Sequence, residues 1–318
     1  MHTVGVVIVS FNTAGLLRDC LASLARCSLP LRIVVVDNAS HDDSVTLVRE
    51  QFPAVELLAL TENVGFARAN NLGFAALGFG ATSTVSPPTY VLALNPDTVV
   101  HAGAIEALVA FLDAHPRVGM VGPRLRNPDG SLQRAAFRFP TLLMTALDLF
   151  PPGEVLPGRL YDSWWHGRYP QEVYGDAPFP IDHPLGACML VRGTTLHAVG
   201  GMDERYFMYS EEVEWCWRIR AASWAIWQEP AAQITHIGGA ATSQFRGKML
   251  RALYRSRAQF VAQVYPRWQQ QAHRLIVGAG MLRAVLRTWV AYARHQISRE
   301  HLRDRLHTYG VIMRDAHQ

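Results

Sequence analysis

Four apolar runs near the start of the chain, at 3–12, 31–40, 55–66 and 90–100, each end abruptly in small polar residues, and a stretch with helical spacing follows each one. Strand, helix, strand at this spacing predicts a mostly parallel sheet of βα units over residues 3–122. The helices are expected at 14–26, 42–51, 66–77 and 102–115. The last run, YVLALNPDTVV, carries Asn95-Pro96-Asp97 and so parks a carboxylate at the C-terminal edge of its strand. Open α/β sheets bind ligands at that edge. Four strand ends converging there make one polar rim the expected place for chemistry.

At 318 residues, 49% hydrophobic and 18% charged, the chain is long enough for one large core, or a core with a smaller lobe. Its four cysteines, Cys20, Cys27, Cys188 and Cys216, form no C-x-x-C pair, which suggests neither a zinc site nor a disulfide framework and fits a reducing compartment. Met1-His2-Thr3 leads straight into a strand, with no signal-like region. A cytoplasmic location, or a peripheral one on the cytosolic face of the inner membrane, is therefore expected.

Beyond residue 122 the order loosens. The segment 78–88 is a loop of small residues and prolines without assigned chemistry. Residues 151–184, rich in proline and glycine, read as a long irregular loop bearing Tyr161, Trp164, Trp165, Tyr169 and Tyr174. Those rings suit stacking on a sugar or contact with lipid headgroups, and pinning the loop to the core explains them equally well. A strand at 184–192, a short helix at 194–199 and the turn Gly200–Glu204 come next. A further helix follows, with Ser210 as its N-cap and Glu211, Glu212 and Glu214 in its first turn.

From Gly247 the pattern is helical, and Leu275–Tyr292 is its most apolar part. Arg283 and Arg287 interrupt that stretch, so it is expected to fall short of the roughly 20 apolar residues that span a bilayer. The net charge of +4 is uneven, because residues 266–318 hold nine arginines, no lysine and three acids, a surplus of six positive charges. Such a balance admits nucleic acid or an anionic membrane. On an apolar helical tail it favours the membrane surface, and no nucleic-acid partner is expected; packing on the preceding domain or into a homodimer is the competing use. The expected division is a ligand-binding domain over 1–246 and a basic amphipathic helical extension over 247–318.

Seven segments, VIVSFN (7–12), VVVDNAS (34–40), NVGFARANNLG (63–73), LNPDT (94–98), GACMLVR (186–192), GGMDERYFMYSEEVEWCWRIR (200–220) and His236-Ile237-Gly238-Gly239, appear in an order and spacing that resemble the family-2 inverting glycosyltransferases. The likeness is to the rhamnosyltransferase-like branch that decorates bacterial surface polysaccharides, and it covers residues 3–260. It implies a GT-A fold, which is a Rossmann-like mixed, mostly parallel sheet flanked by helices. It also implies a dTDP- or UDP-sugar donor, Mg²⁺ or Mn²⁺ on the donor's diphosphate, and a glycan or polyprenyl-diphosphate-linked acceptor.

The chemistry itself asks for a carboxylate beside the leaving diphosphate, where a divalent cation neutralises the departing charge. Asp97 is the expected metal ligand, although Asn-Pro-Asp after a strand is also a common turn sequence. Asn95 stands where many relatives have an acid. Asp37 can accept hydrogen bonds from a pyrimidine or ribose, or close an Asx turn with Asn38 and Ser40. The resemblance places Phe11 and Asn12 beside the base and lines the nucleotide pocket with Asn63, Gly65, Arg68 and Asn70; Phe66 and Asn71 read equally as packing and capping groups.

Inversion needs a base opposite the leaving group. Relatives use the second acid of a Glu-Asp or Asp-Asp pair, a position held here by Glu212, with Glu211 beside it. Asp203 in the GGMDE turn borders the acceptor site in similar enzymes, and His236 matches a histidine that completes the metal shell in some. Tyr254, Arg255 and Arg257 are further phosphate candidates. A QxxRW motif, expected of processive synthases, is missing, which favours addition of a single sugar, plausibly L-rhamnose from dTDP-rhamnose. The competing reading is a non-catalytic carbohydrate- or membrane-binding protein on the same fold.

Overall fold

A computed structural model describes residues 3–80, 84–151, 163, 164, 166–238 and 246–316. The expectations at Tyr161, Trp165 and Gly239 lie outside these residues. In chain order the elements begin β1 (Val4–Ser10), α1 (Ala14–Leu24), β2 (Leu31–Asp37), α2 (Ser44–Gln51), β3 (Glu56–Ala59), α3 (Phe66–Phe74), β4 (Tyr90–Leu94), β5 (Thr98–Val100), α4 (Ala104–Ala114) and β6 (Val118–Arg126). There follow β7 (Leu132–Gln133), β8 (Ala136–Phe137), α5 (Leu142–Leu149), β9 (Phe179–Pro180), β10 (His183–Pro184), β11 (Cys188–Arg192), α6 (Gly193–Val199), α7 (Glu211–Ala221) and β12 (Ala225–His236). The C-terminal helices are α8 (Arg246–Val264), α9 (Arg267–Ala293) and α10 (Arg299–Ala316).

The chain divides into two compact units. The first comprises Met1–Arg138, Tyr169–Phe207 and Glu211–Ala241; the second comprises Phe139–Arg168, Met208–Ser210 and Thr242–Gln318. Compactness thus groups 139–168 with the C-terminal helices, a long-range association that a linear boundary at residue 246 does not express.

The first unit is built on a mixed sheet ordered β3-β2-β1-β4-β11-β6-β12-β5, with β7 added to β6 and β9 to β12. The four strands from β3 to β4 are mutually parallel, and β11 runs antiparallel to both β4 and β6. Every residue of β1 is buried, as a central strand covered on both faces requires. Its helices pack by a stripe; in α1, Leu17, Cys20, Leu21 and Leu24 are buried at the i, i+3, i+4, i+7 spacing. Since β2 and β3 lie on one side of β1 and β4 returns on the other, the strand order reverses between β1 and β4. Parallel sheets open a ligand crevice at such a reversal, at the carboxyl ends of the strands.

Two local expectations change. The helix expected over 66–77 becomes α-helical only to Phe74 and ends in a wide π turn, Ala75–Phe79, where Gly78 takes φ 107. A side chain at Gly78 would put its Cβ 2.6 Å from the Val85 carbonyl, so only glycine lets the chain turn there. Ser210 sits at φ 64, in the left-handed region, and not in the extended conformation usual for a capping serine.

In the second unit Val277 and Met281 of α9 pack with Ile312 of α10, and Leu149, Leu250 and Tyr254 adjoin this cluster. Asp148 is held there by Arg168, with Arg257 at 3.7 Å and His166 at 3.4 Å. Arg257 thus has a structural counter-ion of its own. Among the described residues α9 is long and apolar enough, by length and composition, to cross a bilayer. The helix runs to 27 residues, but 267–274 adds mostly polar residues, so its apolar part is still the stretch that Arg283 and Arg287 interrupt.

Candidate active site

One side of the rim is assembled from the loops after β1, β2 and β3. Asn12, at φ 54, accepts the His41 N–H at 2.7 Å, while its own N–H donates to Ser40 Oγ at 3.0 Å. The loop after β2 also caps α1, since Asp42 Oδ2 accepts the Ala14 N–H at 2.9 Å and so satisfies a free helix donor. Asp37 closes the expected Asx turn, one oxygen accepting the Ser40 N–H at 3.0 Å. Its other oxygen, Oδ2, is buried without a hydrogen bond among the described residues. An acceptor left open in a buried position costs free energy until a donor arrives, so the turn leaves one oxygen available to a donor.

Asn38, buried beside Asp37, organises the next loop. Its amide donates to Asn63 Oδ1 at 2.9 Å and its oxygen accepts the Val64 N–H at 2.9 Å. Asn63 Oδ1 also takes the Gly65 N–H at 3.0 Å. Gly65 has φ 86, and a Cβ there would lie 2.6 Å from the Phe207 carbonyl, which itself accepts the Phe66 N–H at 2.8 Å. The glycine therefore admits the 203–207 segment against the nucleotide loop. Arg68 is exposed, 3.8 Å from Glu204. Asn70 is buried and spends its amide on the Phe66 carbonyl at 3.0 Å, and Phe11 is half-buried.

Across the strand reversal, β4 delivers Asn95 and Asp97. The Asn95 N–H donates to the Ala187 carbonyl at 2.9 Å, and its Oδ1 is buried without a hydrogen bond. Thr98 of β5 lies opposite His236 of β12, and the Ile237 N–H donates to the Asp97 carbonyl at 2.9 Å. This antiparallel pairing brings His236 Nε2 to 3.4 Å from Asp97 Oδ1, although the two residues are far apart in sequence.

Gln133 decides how the histidine is protonated. Its amide nitrogen donates to Asn127 Oδ1 at 2.9 Å and to the His236 carbonyl at 3.3 Å. Its oxygen is left to accept from His236 Nδ1 at 2.7 Å. That arrangement puts the ring proton on Nδ1 and makes Nε2 an acceptor aimed at a carboxylate. Asp97 Oδ1 is buried and makes no hydrogen bond among the described residues. Two buried acceptors facing each other across 3.4 Å repel unless a proton or a cation is shared between them, and a divalent cation fits that donor set. Among the described residues no group of three His, Cys, Asp or Glu could hold an ion. Asp97 and His236 therefore present two donor atoms to each other without a third such ligand among the described residues.

The acids of α7 separate by environment. Glu214 is bound by Arg218 Nε and Nη2, at 2.7 and 2.8 Å, in a structural ion pair. Glu211 is buried, and desolvation followed by the charge of Glu212 pushes its carboxyl well above the ordinary range. Glu212 lies against the 185–187 segment, where a Cβ at Gly186 would be 3.7 Å from its Cγ. Asn95 bonds to the same segment at Ala187, so one short stretch of chain links Glu212 to the β4 end.

The turn before α7 is clamped from two sides. Arg218 donates to the carbonyls of Val199 and Gly201 at 2.6 and 2.7 Å, and Trp215 Nε1 donates to Gly200 at 2.9 Å. On the other side Asn71 of α3 donates to the Met202 carbonyl at 2.8 Å and to Glu204 at 3.0 Å, and accepts the Met202 N–H at 2.9 Å. Asp203 pairs with Arg205 inside the turn, which agrees with a turn-stabilising role. Sequence reasoning passed over Gln133, and it read Asn38 and Asn71 only as turn, packing or capping residues and not as the links between loops that they form. For the two asparagines the signal was present, since each lies inside a recognised motif. Gln133 follows the Asn-Pro-Asp-Gly turn at 127–130 and has no local mark.

Elsewhere the aromatic loop divides. Tyr169 packs on Phe137 at 5.3 Å between ring centroids and under Arg134, whereas Trp164 is 81% exposed.

Residues 5–172 match the profile of Glycosyl transferase family 2. The N-acetylglucosaminyl-diphospho-decaprenol L-rhamnosyltransferase of Mycobacterium tuberculosis is 31% identical over 301 residues, 94% of each chain. Rhamnosyltransferase WbbL of Escherichia coli K12 is 23% identical over 81% of this chain and 92% of its own. Among solved structures, the mannosyltransferase PcManGT of Pyrobaculum calidifontis, in complex with GDP-Man and Mn²⁺, superposes with a TM-score of 0.56 at 16% identity, over 98% of this chain and 85% of that one. That likeness identifies the fold as GT-A. By that profile match over more than half of its length and by 31% identity across nearly all of it, the chain belongs to glycosyltransferase family 2.

Proposed function

We propose that this glycosyltransferase is metal-dependent and inverting, and that it moves one L-rhamnose from dTDP-rhamnose to a polyprenyl-diphosphate-linked glycan acceptor during cell-surface polysaccharide synthesis, at the cytosolic face of the membrane. The observation that carries the reaction type is the Asp97–His236 pair, two buried acceptors that a cation reconciles. The sugar and acceptor are carried over from the rhamnosyltransferases of similar sequence.

Asp97 and His236 would hold Mg²⁺ or Mn²⁺ at the donor's diphosphate, with Asn95 alongside; the ion, when bound, supplies positive charge to the leaving phosphates. Asp37 Oδ2 accepts from the base or ribose, with Phe11, Asn12, Asn63 and Gly65 around it. Arg68, released from Glu204, is a cation available to phosphate. Burial, and then the charge of Glu212, raises the Glu211 carboxyl, which leaves Glu212, set against the 185–187 segment, as the base. Glu212 then takes the proton of the acceptor hydroxyl as that oxygen bonds to the anomeric carbon. The carbon–oxygen bond to the diphosphate breaks on the opposite face, and the anomeric configuration inverts.

The test is a thermal-shift screen against dTDP-, UDP- and GDP-sugars with Mn²⁺, Mg²⁺ or EDTA, followed by turnover on a polyprenyl-diphosphate-GlcNAc analogue. A ligand at 100 times its Kd adds about 2.7 kcal/mol to stability, well within detection. Stabilisation by dTDP-rhamnose that EDTA abolishes is expected. No shift with any donor would sink the transferase reading in favour of a binding protein, and a shift confined to UDP- or GDP-sugars would move the donor assignment.

A further inference from the structure

The helix α9 is apolar on two opposite faces, and only one of them is used by the protein. His273, Val277, Gly280, Met281 and Thr288 are buried within the second unit. Trp268, Leu275, Leu282, Leu286, Trp289 and Val290 are instead between 48% and 72% exposed. At 3.6 residues per turn these six fall within an arc of about 100° and run for roughly 33 Å along the helix. An exposed apolar stripe of that length on a described face calls for an occupant.

Charge identifies the occupant. Between Arg267 and Ala293 there are four arginines and no acid, and Arg294 follows directly. Arg267, Arg287 and Arg294 are exposed, and on the helical wheel they flank the stripe. Apolar side chains between long cations are what a helix lying in the headgroup region of an anionic bilayer presents, with arginine stems in the acyl boundary and guanidinium groups on phosphate. A second copy meeting the stripe with its own α9 would set arginine against arginine, because α9 holds no acid. Crossing the bilayer would strip the buried face from its packing in the second unit. We infer that α9 docks the protein onto an anionic lipid surface through Trp268, Leu275, Leu282, Leu286, Trp289 and Val290, with the helix parallel to the membrane plane. The inference rests on the second unit's own geometry and does not depend on the donor or acceptor proposed above.

The experiment is flotation of the full chain with phosphatidylcholine vesicles, with and without phosphatidylglycerol, combined with quenching of tryptophan by brominated lipids. The protein is expected to float with the anionic vesicles, to bind the neutral ones at least about tenfold more weakly, and to lose quenching when Trp268 and Trp289 are both replaced by Phe. Leu275→Gln/Leu282→Gln/Leu286→Gln should lower flotation by about tenfold or more while leaving the melting temperature unchanged, because all three side chains already face solvent. Arg287→Gln/Arg294→Gln gives an independent reading, weakening only the anionic-vesicle binding. The inference falls if the native chain does not float, if the triple-leucine variant floats as well as the native chain, or if that variant converts a dimer to a monomer with lipid binding unchanged. Donor turnover with a water-soluble acceptor analogue separates the two proposals: flotation without turnover refutes the enzyme reading alone, and turnover without flotation refutes the membrane surface alone.

Discussion

Replacing Asn71 by Ala should disconnect α3 from the 200–204 turn. The side chain makes three hydrogen bonds, two to the Met202 backbone at 2.8 and 2.9 Å and one to Glu204 at 3.0 Å. Met202 is buried, so its freed N–H and carbonyl lose partners that water cannot readily replace. At ~1 kcal/mol net for each bond, and less for the half-exposed Glu204, the loss is about 2–3 kcal/mol. For a unit of this size that lowers the melting temperature by roughly 4–12 °C. In the native arrangement this side chain fills the space beside Gly201, where a Cβ would lie 2.2 Å from Asn71 Oδ1. Differential scanning calorimetry measures the stability, and steady-state kinetics measures the coupling. KM for the acceptor should rise while the donor's dissociation constant changes little, since the loosened element is the 200–204 turn. Asn71→Asp is the sharper control: it keeps the acceptor for the Met202 N–H but sets a carboxylate against Glu204 and a carbonyl, and should be at least as damaging. A loss below about 0.5 kcal/mol with an unchanged acceptor KM would refute the clamp.

Glu212→Gln should lower kcat by about 10²–10⁴ with donor binding retained, whereas Glu214→Gln should act through stability, by ~1–3 kcal/mol, because it leaves Arg218 without its carboxylate; equal kcat losses in both would overturn the separation. His236→Ala and Gln133→Leu should each raise the Mn²⁺ concentration for half-maximal activity by roughly 10–100-fold, the second by freeing the imidazole to choose its tautomer. Retained metal response in both would remove His236 from the site. Burial raises the Glu211 carboxyl above its unfolded value of 4.5, so the folded chain binds more protons than the unfolded one between those two values. This group's contribution to stability is therefore full at the acid end and falls as pH rises through that window, levelling off above it. Glu211→Gln should flatten the decline in melting temperature measured across that range, and an unaltered slope would contradict the raised carboxyl.

The βα order, the placement of Asp97 at a strand end and the acid cluster of α7 were legible because each is written in consecutive residues. Apolar run length and the i, i+3, i+4 spacing act over a turn or two of chain, and Asn-Pro-Asp marks its own turn. The helix limits were less legible, since the π turn after Phe74 and the left-handed Ser210 depend on what packs beside them.

The sequence by itself determined a GT-A sheet, a polar rim and the residue types available there. Tertiary structure alone decided which of those residues meet. His236 reaches Asp97 because β12 pairs antiparallel with β5, and a one-residue slip would turn the imidazole to the other face. Gln133 chooses the tautomer from a separate hairpin, and Arg218 withdraws Glu214 from the trio of acids while leaving Glu212 by Gly186. Those outcomes depend on register and burial between segments distant along the chain, where local propensity carries no information.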